Sequence, residues 1–207
     1  MARPQGHTPE EFLDAAIAIA NSEGLDALTA RRLGAEMGVS YTAVYTYFEN
    51  RNALIASIVN RMSQEIISEI VVMDSASTRD VIVGIGMATR RVLSQHPLLV
   101  PAFATVDAGD AGDESTVIAT IAGLLRSAGL QGDDLVLAYR ALESYILGSA
   151  IFDLGAAPRH LTIRRRRYQS TGVAEFVAVA KSDRSMAAHN EAAFKLGLER
   201  LLDGLGL

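Results

Sequence analysis

Two glycines four residues apart, Gly34 and Gly38, constrain this chain more than any other feature. They lie within residues 29–48, TARRLGAEMGVSYTAVYTYF, where one helical pattern stops and another starts almost at once. Gly38 can take the positive φ of a tight turn, Gly34 is small where another helix must cross closely, and Val39 and Val44 bury on either side. The spacing predicts a helix-turn-helix. Thr29 caps its first helix, with Leu33 and Met37 inward and Arg31 and Arg32 toward the exposed side. Ser40 caps the second, which is expected to run through Tyr47.

The second helix has an unusual outer face. Val44 and Phe48, four apart, turn to the core and leave Tyr41, Thr42, Tyr45 and Thr46 outside. A solvated helix is normally rich in Lys, Glu and Gln. Hydroxyls here can reach phosphates and bases, and rings can pack on sugars or thymine methyls, so the face suits a DNA groove. β-Branched and aromatic residues also lower helix propensity, which a purely structural helix would avoid. The competing reading, tyrosines covering a small three-helix core, fits Tyr47 best. Upstream, Thr8, Pro9 and Glu11 predict a capped helix with Phe12, Leu13, Ala16, Ile17 and Ala20 on one side and a stop at Gly24. Residues 1–7 read as an arm, either disordered or reaching a minor groove with Arg3. Downstream, Asn50 can cap a fourth helix whose N-terminal amides hold a phosphate beside Arg51.

The run LTARRLGAEMGVSYTAVYTYFENRNALIASIV resembles the DNA-binding head of the tetracycline-repressor (TetR) family of transcriptional regulators. The match spans residues 8–62, about the first quarter of the chain. The resemblance implies a third helix in the major groove, phosphates held by the second helix and the start of the fourth, and a remainder that binds an effector and dimerises. Carried over by position, it implies DNA contacts from Arg31, Tyr41, Thr42, Tyr45 and Thr46, with Ser40 at the head of the same helix. Arg51 stands where the family usually has Lys, keeping the positive charge of a phosphate clamp. No Lys or Arg lies on the third helix, so hydroxyl and backbone donors carry more of the contact.

Composition narrows the alternatives. A net charge of −5 and a pI near 5.4 argue against binding by bulk basicity and force any nucleic-acid contact onto a local surface. The absence of Cys excludes disulfides and thiolate metal sites and suits a reducing cytoplasm. His7, His96, His160 and His189 are scattered without helical-spaced partners, so no metal and no cofactor are implied. No apolar run approaches the roughly 18 residues of a membrane span, and the first residues lack the apolar segment of a signal peptide.

The remaining residues read as further helices. Leu54, Ile55, Ile58, Val59, Met62, Ile66, Ile67 and Ile70 form one stripe, so the fourth helix both ends the head and begins the body, a lever for ligand control. Residues 79–95 follow as a helix with Arg90 and Arg91 solvated, then a proline-opened short helix at 97–103 and a Gly/Ala/Asp-rich loop at 105–113. A helix to Gly129 and another from Gly132 come next; Gly148, Ser149 and Ala150 make the latter an interface helix or a pocket wall. Arg164, Arg165, Arg166 and Arg167 read as a solvated link, and 185–202 as a final helix.

The expected fold is therefore all-α: a helix-turn-helix DNA-binding head at 1–50 on a larger helical effector-binding and dimerisation domain at 51–207. Met87, Phe103, Tyr139, Glu143 and Phe152 are candidate effector-pocket residues on inward faces, with core the favoured reading of each. The expected function is a homodimeric, cytoplasmic regulator released from a palindromic double-stranded DNA operator by a small molecule, with no membrane partner. A constitutive DNA-binding adaptor without an effector is the alternative. An all-helical enzyme is disfavoured, because no GxSxG, P-loop, metal cluster or close carboxylate pair supplies a catalytic residue.

Overall fold

The computed structural model describes residues 7–70, 77–104, 112–154, 159–182 and 185–207. The arm with Arg3, the start of the polar break before Ser77, most of the 105–113 loop and Pro158 lie outside them. Among the described residues the secondary structure is helical throughout, with no strand. The chain divides into two compact units.

The first unit comprises Met1–Glu65 and Leu98–Ile118. Helix α1 (Pro9–Glu23) starts as the sequence predicts: the Thr8 hydroxyl accepts from Glu11 N, and the Glu11 carboxylate accepts in return from Thr8 N. That bond holds the Glu11 carboxyl below the usual carboxylate range. Gly24 ends the helix at φ 90°, ψ 163°, a conformation open to glycine alone. A 3-10 turn at Leu25–Ala27 leads to α2 (Ala30–Met37), capped by Thr29. Phe12, Ala16, Leu28, Leu33, Val44 and Leu54 form the buried centre of this unit. Ile55, Val59 and Ala102 make a neighbouring cluster against which Leu25 and Phe103 pack.

The turn after α2 behaves as its glycines require. Gly38 sits at φ 67°, ψ 28°, in the left-handed region, and its N–H closes back on α2. A Cβ on Gly34 would lie 3.0 Å from Val39 O and 3.3 Å from the Tyr41 Cα, so backbone crosses backbone there. Helix α3 is shorter than expected: it is regular only over Tyr41–Val44. Beyond it, Thr46 N donates to Ala43 O and Tyr47 N to Val44 O, one residue tighter than an α-helix. A run of hydroxyl, β-branched and aromatic residues gives the last turn too little propensity to stay α-helical. Helix α4 then runs unbroken over Arg51–Ile70.

The second unit comprises Ile66–Pro97 and Ala119–Leu207. Helices α5 (Thr78–Gln95), α7 (Gly132–Leu154) and α10 (Met186–Gly204) pack on one another. Ile82, Ile85, Leu142, Ile146, Phe194 and Leu198 are buried where they meet. Helix α6 (Gly112–Ser127) enters this unit beyond Ile118, and α8 (Arg159–Ser170) and α9 (Ala174–Lys181) pack together with Tyr168 stacked on Phe176 at 5.0 Å. Two expectations are corrected here. Arg90 is buried rather than solvated. The four arginines 164–167 stand in helix α8 rather than a link, because that helix docks through the polar Arg164, which apolar periodicity does not register.

Gly38 has open space around its Cβ position, so substitution there reports backbone strain alone. Gly38→Ala should destabilise the head by about 1–2 kcal/mol and Gly38→Asn by less, measured by denaturant unfolding. Equal stability of all three proteins would contradict the left-handed turn.

Candidate nucleic-acid interface and body cavity

The exposed surface of the turn and α3 is built from few charges. Ser40 caps α3 by accepting from Ala43 N, and its hydroxyl lies 2.8 Å from that of Thr42, which orients both oxygens. Tyr41 and Tyr45 are 55% and 50% exposed, too open to serve as core, and Thr42 and Thr46 are exposed beside them. Tyr47 differs: its ring packs on Phe12 at 4.6 Å and its hydroxyl donates to His7 O at 2.8 Å. The structure therefore brings Ser40, Tyr41, Thr42, Tyr45 and Thr46 onto one short element and ties Tyr47 elsewhere.

The cations around this element divide their work. Arg32 is held by Glu23 and Glu36, each with a 2.7 Å contact, and its hydrogen bonds keep the Glu23 carboxyl below the usual range. Arg31 is exposed and makes no ion pair among the described residues, which leaves it as the helix α2 cation available to a phosphate. Arg51 has a structural role that its sequence position did not announce. Its Nε donates to Leu28 O and one Nη to Leu25 O, so it braces the connector between α1 and α2. Two of its five N–H donors are thus engaged, and Asp26 lies 3.9 Å from the same Nη, which leaves the other Nη as the end of the guanidinium facing an anion. Asn50 Oδ1 accepts from Ala53 N and caps α4. Tyr45 and Arg51 line a shallow cleft of about 20 Å³ together with Phe48 and Asn50.

The second unit contains a cavity of about 510 Å³, within the range that small organic ligands fill. Met87, Arg90, Arg91 and Ser94 of α5 line it, with Asp153 of α7, Leu161 of α8, and Ala187, Asn190 and Glu191 of α10. Asp153 is buried and bridges two guanidiniums: Oδ2 lies 3.0 Å from Arg90 and Oδ1 2.9 Å from Arg164. Arg164 also donates to Asn190 Oδ1 at 2.6 Å, and the flat face of Arg90 lies 4.9 Å from the Phe194 ring centre. Tyr145 also stacks on Phe194 and donates to its carbonyl, and burial pushes the Tyr145 hydroxyl pKa upward.

The five expected pocket residues are not gathered together. Met87 lines the cavity. Phe103 packs within the first unit, and the Tyr139 hydroxyl donates to Glu143, itself paired with Arg140. Phe152 is 62% exposed under the Arg164 guanidinium, a correction to its inward placement: α7 turns Asp153, not Phe152, inward. Arg90 and Asp153 carried a legible signal. Arg90 follows Ile82 and Gly86 at four-residue steps, and Asp153 follows Leu142, Ile146 and Ala150 on the buried stripe of α7.

Comparison with known proteins agrees with this geometry. Residues 12–58 match the family model for bacterial regulatory proteins, tetR family, and residues 75–206 match the tetracyclin repressor-like C-terminal domain. The chain is 26% identical over 211 residues to the HTH-type transcriptional repressor DrrR1 of Streptomyces coeruleorubidus, covering 96% of this chain and 77% of that protein. It is 26% identical over 199 residues to the tetracycline repressor protein class A from transposon 1721 of Escherichia coli, covering 95% and 89%. A crystal structure of a possible TetR family transcriptional regulator from Streptomyces coelicolor A3(2) superposes with a TM-score of 0.74 at 23% identity over 96% of this chain and 98% of that one.

Tyr45 and Tyr47, two residues apart, should separate cleanly by stability. Tyr45→Ala is expected to change unfolding free energy by no more than about 0.5 kcal/mol, and Tyr47→Ala to cost about 2–4 kcal/mol through lost packing on Phe12. Thermal unfolding of the two variants checks this, and a Tyr45→Ala protein with an unfolded head would place the ring in the core.

Proposed function

Because the chain belongs to the TetR family of bacterial regulatory proteins, a family of transcriptional regulators and not of enzymes, we propose that it is a cytoplasmic repressor released from a palindromic operator by a small molecule. The observation that carries this reading is the exposed surface of α3. Tyr41, Thr42, Tyr45 and Thr46 stand exposed, the Thr42 hydroxyl oriented by Ser40, on an element whose angle is fixed at Gly34 and Gly38. Those four read the major groove; Arg31, Arg51 and the α4 N-terminus hold flanking phosphates, and Ser40 positions the start of the reading element. The 510 Å³ cavity is the effector site, with Met87 and Arg90 in its wall.

A palindromic operator requires two heads, and α7 offers the surface that joins two copies. By length and composition α7 is apolar enough to cross a membrane, yet only 22% of its apolar window is buried within the chain. Leu137, Ile151 and Val136 stand exposed on it at 66%, 54% and 55%, and Ser144 and Gly148 between them let another helix approach. A second copy of the chain covers this face, bringing two reading elements about 34–36 Å apart, one turn of the duplex. The effector then needs only to favour a spacing that the duplex cannot accept. A preference of up to roughly 5.5 kcal/mol gives a complete switch.

Selection of bound duplexes from a random library should return a two-fold symmetric site with half-sites about one helical turn apart, and no enrichment would sink the reading. Tyr45→Ala should lose at least about tenfold in specific binding. With Arg31 and Arg51 from each of two heads, log K should fall with log salt at a slope of about −3 to −4. A slope twice as steep would bring Arg166 and Arg167 into the footprint. Leu137→Glu should produce a monomer by light scattering that no longer binds the full site.

A further inference from the structure

The cavity wall of the second unit carries a charge arrangement that nothing within the described chain completes. Arg90 and Asn190 are 7% and 3% exposed, and Arg164 is largely buried beside them. Two guanidiniums share the single carboxylate of Asp153, one oxygen each, and Arg164 finds its second acceptor in the neutral Asn190 carbonyl. The buried set therefore has one positive charge in excess. Among the described residues, Arg90 Nη1 is buried and has no hydrogen-bond partner. Native structures satisfy nearly all such groups, and an orphaned donor of this kind calls for an acceptor beyond the described residues.

The other charges at the cavity do not cancel the excess. Arg91 is exposed and paired with Glu69, and Glu191 is exposed on α10. Exposed charges are screened by water and salt over about 8–10 Å, whereas a buried set is screened far less. The potential inside is therefore governed by Arg90, Arg164 and Asp153. Met87, Leu161 and Ala187 supply apolar wall around them. The volume is too large for a small inorganic ion and suits an organic molecule with one charged end.

Resting on the reading of this cavity as the effector site, we propose that the effector is an organic anion, a carboxylate on an apolar body, whose oxygens are received by Arg90 with Arg164 and Asp153 holding that guanidinium in place. Nη1 is buried without a partner beside the cavity, so receiving a carboxylate oxygen there takes a shift of the wall that opens it to the cavity. Guanidinium suits the task because its planar fork receives a carboxylate through two parallel bonds. Arg90 also lies on Phe194, which stacks on Tyr145 of α7, so a shift of Arg90 reaches the helix proposed to join two copies.

The test uses the full-length protein and matched probes: octanoate and 4-phenylbutyrate against octanamide, 4-phenylbutyramide and octylamine, at millimolar concentration, neutral pH and fixed ionic strength. Thermal shift and calorimetry should show at least one acid binding about tenfold or more tighter than its amide, with octylamine weaker still. Arg90→Met should reduce that preference to less than about threefold, and Arg90→Lys should keep part of it. If Arg90→Met does not fold, Met87→Trp, which narrows the cavity and keeps Arg90, Arg164 and Asp153, should weaken acid binding. Equal binding of acids and amides, tighter binding of octylamine, no binding of either acid, or an acid preference that survives in Arg90→Met overturns the proposal. Operator release measured alongside separates the two readings. Release by a neutral or cationic compound sinks the anion and leaves the regulator. Arg90-dependent acid binding without release sinks the effector role and leaves the anion site.

Discussion

Everything the head offers to a groove depends on how closely the chain beyond Gly38 passes over Gly34. The contact is backbone on backbone, with Val39 O and Tyr41 Cα within 3.3 Å of where a Cβ would stand. Side chains can adjust by changing rotamer, but two backbones held by Val39 N→Gly34 O at 2.9 Å cannot. The crossing angle of α2 and α3 is thereby set before any surface residue matters. With the angle fixed by the scaffold, α3 is free to carry residues chosen for contact rather than for helix propensity, and its early loss of α-helical bonding after Val44 is the physical cost of that choice.

An acidic chain that binds an acidic polymer has to be frugal with positive charge. Of the two arginines adjacent on α2, Arg32 is committed to Glu23 and Glu36 and stabilises the packing of α1 on α2, while Arg31 stays open. Arg51 is committed in part, bracing the Leu25 and Leu28 carbonyls with Asp26 3.9 Å away. With so few open cations, a head of this kind gains little from counterion release.

Local signals made the head legible in the sequence. The Thr8–Glu11 box, the Ser40 and Asn50 caps and the two glycines each act over three or four residues, and all appear as expected. Tyr47 was separable from Tyr45 because it falls three residues after the buried Val44, where its ring meets Phe12 while 37% of the residue stays exposed. The body was less legible for a reason of range: Arg90, Asp153, Arg164 and Asn190 come from four helices spread over a hundred residues, and their meaning lies in their mutual distances. Arg164, set among three other arginines, gave no hint that it would be the one to meet Asp153 and Asn190. Phe152 misled because apolar character predicts burial only on average, and here the ring stays 62% exposed with the Arg164 guanidinium over it.

The shared carboxylate of Asp153 has a consequence for how such a protein can diverge. A buried ion cluster is often no more stabilising than apolar residues of the same volume, yet losing one member strands the others and costs about 3–5 kcal/mol. Set against a total stability of roughly 5–15 kcal/mol, that is a deep valley for any single substitution at Arg90, Asp153 or Arg164. A lineage leaves this arrangement only by changing two or three of the positions nearly together. The cluster therefore acts as a historical ratchet: once in place, it persists because no single member can be lost cheaply.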